Sequence, residues 1–165
     1  IASGGSATIE EVGLLNYIKT HSEEYTFIDR SIAKTEDEKR QIHAKAILSD
    51  YYLMSTNAFT MDGQLVNIDG NGNRVSALCY GPKHVVIITG MNKLTPSVED
   101  AYKRIRQDAC PPNCVRLGLP TPCSKTGVCG DCMSASSICD LFVTTRMSRY
   151  PDRIHIIMVG EELGY

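Results

Sequence analysis

Cys123, Cys129, Cys132 and Cys139 carry the chemistry most legible in this chain. They stand in the stretch Thr121-Pro-Cys-Ser-Lys-Thr-Gly-Val-Cys-Gly-Asp-Cys-Met-Ser-Ala-Ser-Ser-Ile-Cys139. Cys110 and Cys114 lie just upstream, so six of the seven cysteines fall between positions 110 and 139. Four thiolates with glycine and proline to turn the backbone suit a tetrahedral zinc or an iron–sulfur cluster. The spacing holds one Cys-x-x-Cys rather than two, so reduced thiols packed in an irregular loop are as consistent with the spacing as a metal. Cys110 and Cys114 flank the helix end at Pro111-Pro112 and are expected to pack there. Cys79 sits alone in an apolar run and is expected to be buried and inert. Disulfides are disfavoured: no leader is visible, and a 165-residue chain can bury a core without covalent staples.

Three polar, glycine-rich segments form a second group of candidates. Gly4-Gly5-Ser6-Ala7-Thr8 reads as a strand-to-helix turn, where bare glycines, helix N–H groups and the Ser6 and Thr8 hydroxyls can hold an anion. A plain capped turn accounts for the same residues, and Glu10 and Glu11 already complement the helix dipole. Asp69-Gly-Asn-Gly-Asn73 has oxygens at calcium-loop positions 1, 3 and 5. Arg74 stands where that loop needs Gly and Tyr80 where it needs Glu, so calcium is excluded and a turn is expected. Gly90-Met-Asn92-Lys93 follows an apolar strand at its carboxyl end, the place where open α/β sheets bind ligands. The expectation is a cleft bounded by Gly4–Thr8, by Asp69 with Asn73 and Arg74, and by Asn92 with Lys93. The four histidines are scattered, and no Ser/His/Asp set, P-loop or Gly-x-Gly-x-x-Gly is present.

These residues need a scaffold, and the patterning supplies one. Ile9, Val12, Leu15 and Ile18 form a helical face to about Thr20. Thr35-Glu-Asp-Glu38 is a capping-box pattern opening a second helix with Ile42, Ala46 and Ile47 inward. Tyr51–Ser55 and His84–Thr89 read as strands, and Asp62-Gly63 as a hairpin turn between 58–60 and 64–67. Val75–Tyr80 is expected to be a strand. Pro96-Ser97 opens a helix carrying Val98, Ala101, Ile105 and Ala109, and Pro111-Pro112 is expected to stop it. Arg153–Gly160 is a continuous apolar run, expected as a strand buried on both faces. Helices alternating with apolar strands predict an α/β fold with a mostly parallel sheet, helices on both faces and an inserted β-hairpin.

Composition narrows the partners. The formal charge is −2 and apolar residues make up 42 %. With no basic stripe, nucleic acid is excluded as a partner. No apolar run is long enough to span a bilayer, so a membrane is excluded and a cytoplasmic location is expected.

In order and spacing the chain resembles the LUD domain, named for lactate utilisation proteins. The resemblance rests on Gly4–Thr8 with Glu11 and Gly13; Asn57-Ala58; Asp62-Gly63; Asn67–Arg74; Tyr80-Gly-Pro82; Gly90–Lys93; Pro112-x-x-x-Arg116; the cysteine run; and Val159–Gly164. It is similar to the branch of that family that carries the cysteines. The resemblance implies one domain over 1–165, with an irregular Cys-rich segment at 110–139 and a Rossmann-like fold similar to the NagB/RpiA/CoA-transferase group. It also implies an N-terminally truncated start, because the family places helices and a strand before the glycine turn. A bare sheet edge there would favour a homo-oligomer.

For function, the resemblance implies an accessory or catalytic subunit in the oxidation of lactate-type organic acids. Such a subunit would bind an anionic small molecule at Gly4, Gly5, Ser6 and Thr8 and work with iron–sulfur proteins of that system. The alternative is an electron-transfer or interaction module with iron–sulfur or zinc on Cys123, Cys129, Cys132 and Cys139. A weaker alternative is a CoA transferase or sugar-phosphate isomerase, with Glu10, Glu11 or Asp69 as its carboxylate.

Overall fold

The computed structural model describes all 165 residues. In chain order the elements are β1 (Ala2–Ser3), α1 (Ala7–Glu11), α2 (Leu14–Thr20), α3 (Glu36–Ile47), β2 (Tyr51–Met54), β3 (Ala58–Thr60), β4 (Leu65–Asp69) and α4 (Asn73–Cys79). They continue with β5 (His84–Gly90), β6 (Leu94–Thr95), α5 (Val98–Arg104), a π-helical turn (Ile105–Ala109), α6 (Cys110–Arg116), α7 (Pro122–Thr126), β7 (Leu141–Thr145) and β8 (Ile154–Val159). The chain divides into two units: Ile1–Ser55 with Asn73–Gly90 and Ser148–Gly164, and Thr56–Gly72 with Met91–Met147 and Tyr165.

The first unit is built on a parallel sheet of order β1-β2-β5-β8. Tyr52, Met54, Val85 and Ile87 are buried in it, with Ile9 and Ile18 from α1 and α2. The expected helix over 9–20 is broken at Gly13, which takes φ 71° as the start of α2. α3 begins with the expected capping box: Thr35 Oγ1 accepts from the Glu38 amide, and the Glu38 carboxylate accepts from the Thr35 amide.

Two strand expectations fail in this unit. The 75–80 run is not a strand: residues 75–79 belong to α4, and Tyr80 follows its end. The reason is long-range: Arg153 donates to the carbonyls of Ala77 (2.6 Å), Leu78 (2.7 Å) and Pro82 (3.1 Å), capping the helix end with a buried guanidinium. The 153–160 run is not buried on both faces either. β8 pairs only with β5 at the sheet edge, and Ile156, Ile157 and Met158 are exposed.

The second unit holds a mixed sheet of order β6-β3-β4-β7. The hairpin at Asp62-Gly63 is present, with β3 and β4 antiparallel. β7, which no local pattern in the sequence marks, pairs antiparallel with β4. The core packs Ala58, Val66 and Ile68 of the sheet against Ala101, Ile105, Ala109 and Cys110. Ala101, Ile105 and Ala109 lie on the expected apolar face, and Cys110 joins them. Pro111-Pro112 does not stop the helix. The π-helical turn at 105–109 changes the register, and α6 restarts with prolines in its first turn, where a missing N–H costs nothing.

Candidate functional site

In the first unit, β1 delivers the chain to the glycine turn. The Gly4 amide donates to the Leu53 carbonyl (2.9 Å) and fixes the turn to β2. Ser6 caps α1, its Oγ accepting from the Ile9 amide. Thr8 is buried and donates to the Leu163 carbonyl (3.2 Å), while the Glu11 carboxylate accepts from the Gly164 amide (2.6 Å). The first turn of α1 is therefore tied to the C-terminal segment, and Glu11 is engaged there.

The glycines are required by what lies on them. A Cβ on Gly4 would sit 3.0 Å from Arg74 Cγ and 3.3 Å from Tyr52 Oη. A Cβ on Gly5 would fall 2.1 Å from Arg30 Nη2. The guanidinium of Arg30 and the methylene stem of Arg74 thus rest against the turn. Arg74 stands in the first turn of α4, next to Asn73. Arg30 opens a 3₁₀ turn capped by Asp29, which pairs with Lys19 at 2.8 Å. The Lys19 contact, with the Ser31 hydroxyl, holds the Asp29 carboxyl down to about 2. Arg30 was not a sequence candidate. It lies far from the other site residues in sequence, and the pairing of Ile28 beside Ala2 brings it in.

Asp69, Asn92 and Lys93 belong to the second unit. Asp69 and Lys93 are both buried, and Asp69 Oδ1 accepts from the Gly72 amide (3.0 Å) in the expected turn. Asn57 and Asn67 lock the hairpin reciprocally: Asn67 Oδ1 accepts from the Asn57 amide, and Asn57 Oδ1 accepts from the Ile68 amide, both at 3.1 Å. The Nδ2 of Asn67 is buried with no hydrogen-bond partner. Arg104 donates to the carbonyls of Asn92 and Asn57 at 2.9 Å each, and burial lowers its pKa.

The cysteines are gathered more fully than their spacing suggested. Cys110, Cys114, Cys123, Cys129, Cys132 and Cys139 all line one cavity of about 80 Å³ in the second unit. Cys110 and Cys114 come from α6 and Cys123 from α7, so the two upstream cysteines are wall residues of this cavity. The Sγ atoms of Cys110 and Cys139 are 3.4 Å apart. Cys123 Sγ lies 3.3 Å from Thr121 Oγ1. Contact with the Cys110 thiol, helped by the nearby Arg106, lowers Cys139 to about 7, and the same contact together with burial raises Cys110. Burial lifts Cys114 to about 11. Arg106 also pairs with Asp131 and lies over the Phe142 ring. Cys79 is exposed at the end of α4, not buried as expected: the helix turns it outward while Ala77 and Leu78 face the core.

The parallel sheet flanked by helices and the hairpin-bearing second sheet define an α/β protein. The LUD domain model matches residues 1–159, and the chain belongs to the LUD domain family. Among solved structures it is similar to a DUF162 family protein from Deinococcus radiodurans, at 14 % identity and a TM-score of 0.40, covering 97 % of this chain and 87 % of that one. No curated protein matches it. No helix is long and apolar enough to cross a membrane.

Proposed function

We propose that the glycine turn of the first unit binds the anionic group of a small molecule, a carboxylate or a phosphate, and that the protein serves the oxidation of lactate-type organic acids. One observation carries the reading: Arg30 and Arg74 are both laid against Gly4-Gly5, where a side chain on Gly5 would displace Arg30 and one on Gly4 would press on Arg74. Guanidinium groups recognise carboxylate and phosphate by paired N–H donors. Backbone without side chains lets an anion approach the same place. Ser6 caps the helix that follows the turn, and Thr8 ties it to the C-terminal segment.

The chain's own residues then bind and orient. Arg74 and Arg30 would neutralise the acid, and the tied C-terminal segment would hold the turn rigid. The link to lactate-type acids comes from the family and not from the geometry.

The test is calorimetric titration of the whole chain with L-lactate, pyruvate and inorganic phosphate. Binding of at least one is expected. Arg74→Ala should weaken it about 10-fold or more, the worth of a charged hydrogen bond at roughly 1.5–3 kcal/mol. Lys103→Ala should leave it unchanged, since Lys103 is exposed and paired with Glu99 at 2.8 Å. No binding of any of the three, or equal loss in both variants, refutes the proposal.

A further inference from the structure

We infer that the six-cysteine cavity of the second unit holds a thiolate-ligated metal centre, and that Cys110 and Cys114 belong to the thiols that serve it. This inference is independent of the anion site. It rests on where the sulfurs are. The six cysteines come from two helices and an irregular loop, are separated by up to 29 residues, and nonetheless line one cavity. The remaining cysteine, Cys79, is elsewhere and exposed.

Apolar packing accounts for Cys110, a member of the core, and for Cys139 against it, but not for the gathering of all six. Of the six, only Cys110, Cys114 and Cys123 are buried, and Cys129, Cys132 and Cys139 are half-buried around open space. A partly open cluster of thiols is an oxidation hazard unless something occupies it. Other residues of the wall are Arg106, Thr121, Met133 and Phe142, which supply one cation and apolar shielding.

The class of occupant follows from the donors. Soft sulfur ligands select iron–sulfur clusters or zinc over hard oxygen-seeking cations. No group of three or more His, Cys, Asp or Glu side chains is already arranged around a single ion. Metal loading therefore requires the thiols to close in, as they do in sites where binding and folding are coupled. Two sulfurs on one tetrahedral zinc lie about 3.8 Å apart for Zn–S bonds of about 2.3 Å, so the 3.4 Å Cys110–Cys139 contact is near that spacing. An iron–sulfur cluster would likewise draw its thiolates from the six cysteines that line the cavity. In either case each ligating thiol releases one proton to solvent. The incoming group is Zn²⁺, or ferric iron, alone or with ferrous iron, together with inorganic sulfide, so that assembly needs no further oxidant.

The experiment uses the whole chain, purified without oxygen and with reductant. Metal and acid-labile sulfide are measured as isolated and after reconstitution, once with ferric and ferrous iron plus sulfide and once with zinc. Iron and sulfide in equal amounts with broad visible absorbance identify the cluster; one zinc per chain and no colour identify zinc. Either result supports the inference. Cys110→Ser and Cys114→Ser should each lose metal, whereas Cys79→Ser should keep it. Wild-type protein decides the matter should the serine variants fail to fold. Folded wild-type protein that takes up neither iron nor zinc overturns the inference. So does recovery of the metal-free chain two hydrogens lighter per disulfide, which would make the pocket a dithiol site. Full metal content in folded Cys110→Ser and Cys114→Ser removes those two from the ligand set.

Discussion

Arg153 offers the sharpest test of how the first unit is held together. It is 8 % exposed, has no carboxylate partner, and spends its guanidinium on three carbonyls at the end of α4 and the turn after it. Hydrogen bonds to a charged group contribute about 1.5–3 kcal/mol each, so the three are worth roughly 5–9 kcal/mol gross. Taking a guanidinium out of water costs several kcal/mol, a penalty reflected in the pKa that burial lowers. Arg153→Met removes both terms but strands the carbonyls of Ala77, Leu78 and Pro82, at about 1–3 kcal/mol apiece unless water reaches them. With partial hydration the net loss is about 3 kcal/mol. Urea unfolding followed by circular dichroism should then show the midpoint falling by about 1.5 M for an m-value of about 2 kcal/mol/M. The melting temperature should fall by about 6–12 °C. Arg153→Lys should lie between, because one ammonium cannot span three carbonyls. A stability of Arg153→Met within about 0.5 kcal/mol of the parent would refute the reasoning and mean that α4 needs no distant cap.

Gly81→Ala should destabilise by about 2–3 kcal/mol in the same assay, since Gly81 has φ 128° and an added Cβ would meet Ile47 Cγ2 at 2.4 Å and the Ile47 carbonyl oxygen at 2.7 Å. Gly5→Ala should cost little stability, because the clash is with the movable end of Arg30, yet it should weaken phosphate or lactate binding measured by calorimetry. Thr35→Ala breaks the capping box and should cost about 1 kcal/mol. Asp29 has a folded pKa below its unfolded value, so its stabilisation is complete above about pH 4 and is lost as pH falls toward 2. With Lys19 half-exposed, that stabilisation is about 1 kcal/mol. Asp29→Asn should remove it at pH 7 and leave stability near pH 2 unchanged relative to the parent.

Local chemistry alone determined much of this protein. The capping box at Thr35–Glu38, the hairpin at Asp62-Gly63, the β5 run and the apolar face of Val98, Ala101, Ile105 and Ala109 depend on residues within a few positions of one another, and they stand as their patterns imply. The family was legible too, because its signature is an ordered series of short turns and not a single site. What the tertiary structure decided has distant causes. Residues 75–80 carry an apolar run too short to fix its own period; 75–79 are helical, and Arg153, more than seventy positions away, caps that helix end. The 153–160 run is as apolar as a central strand, but its place in the strand order leaves it at an edge. Arg30 reaches the glycine turn only because Ile28 pairs beside Ala2. Spacing drew attention to four cysteines. It could not show that Cys110 and Cys114 join them, since the π-helical turn at 105–109 sets the rotation of α6 and so the side on which those two thiols emerge.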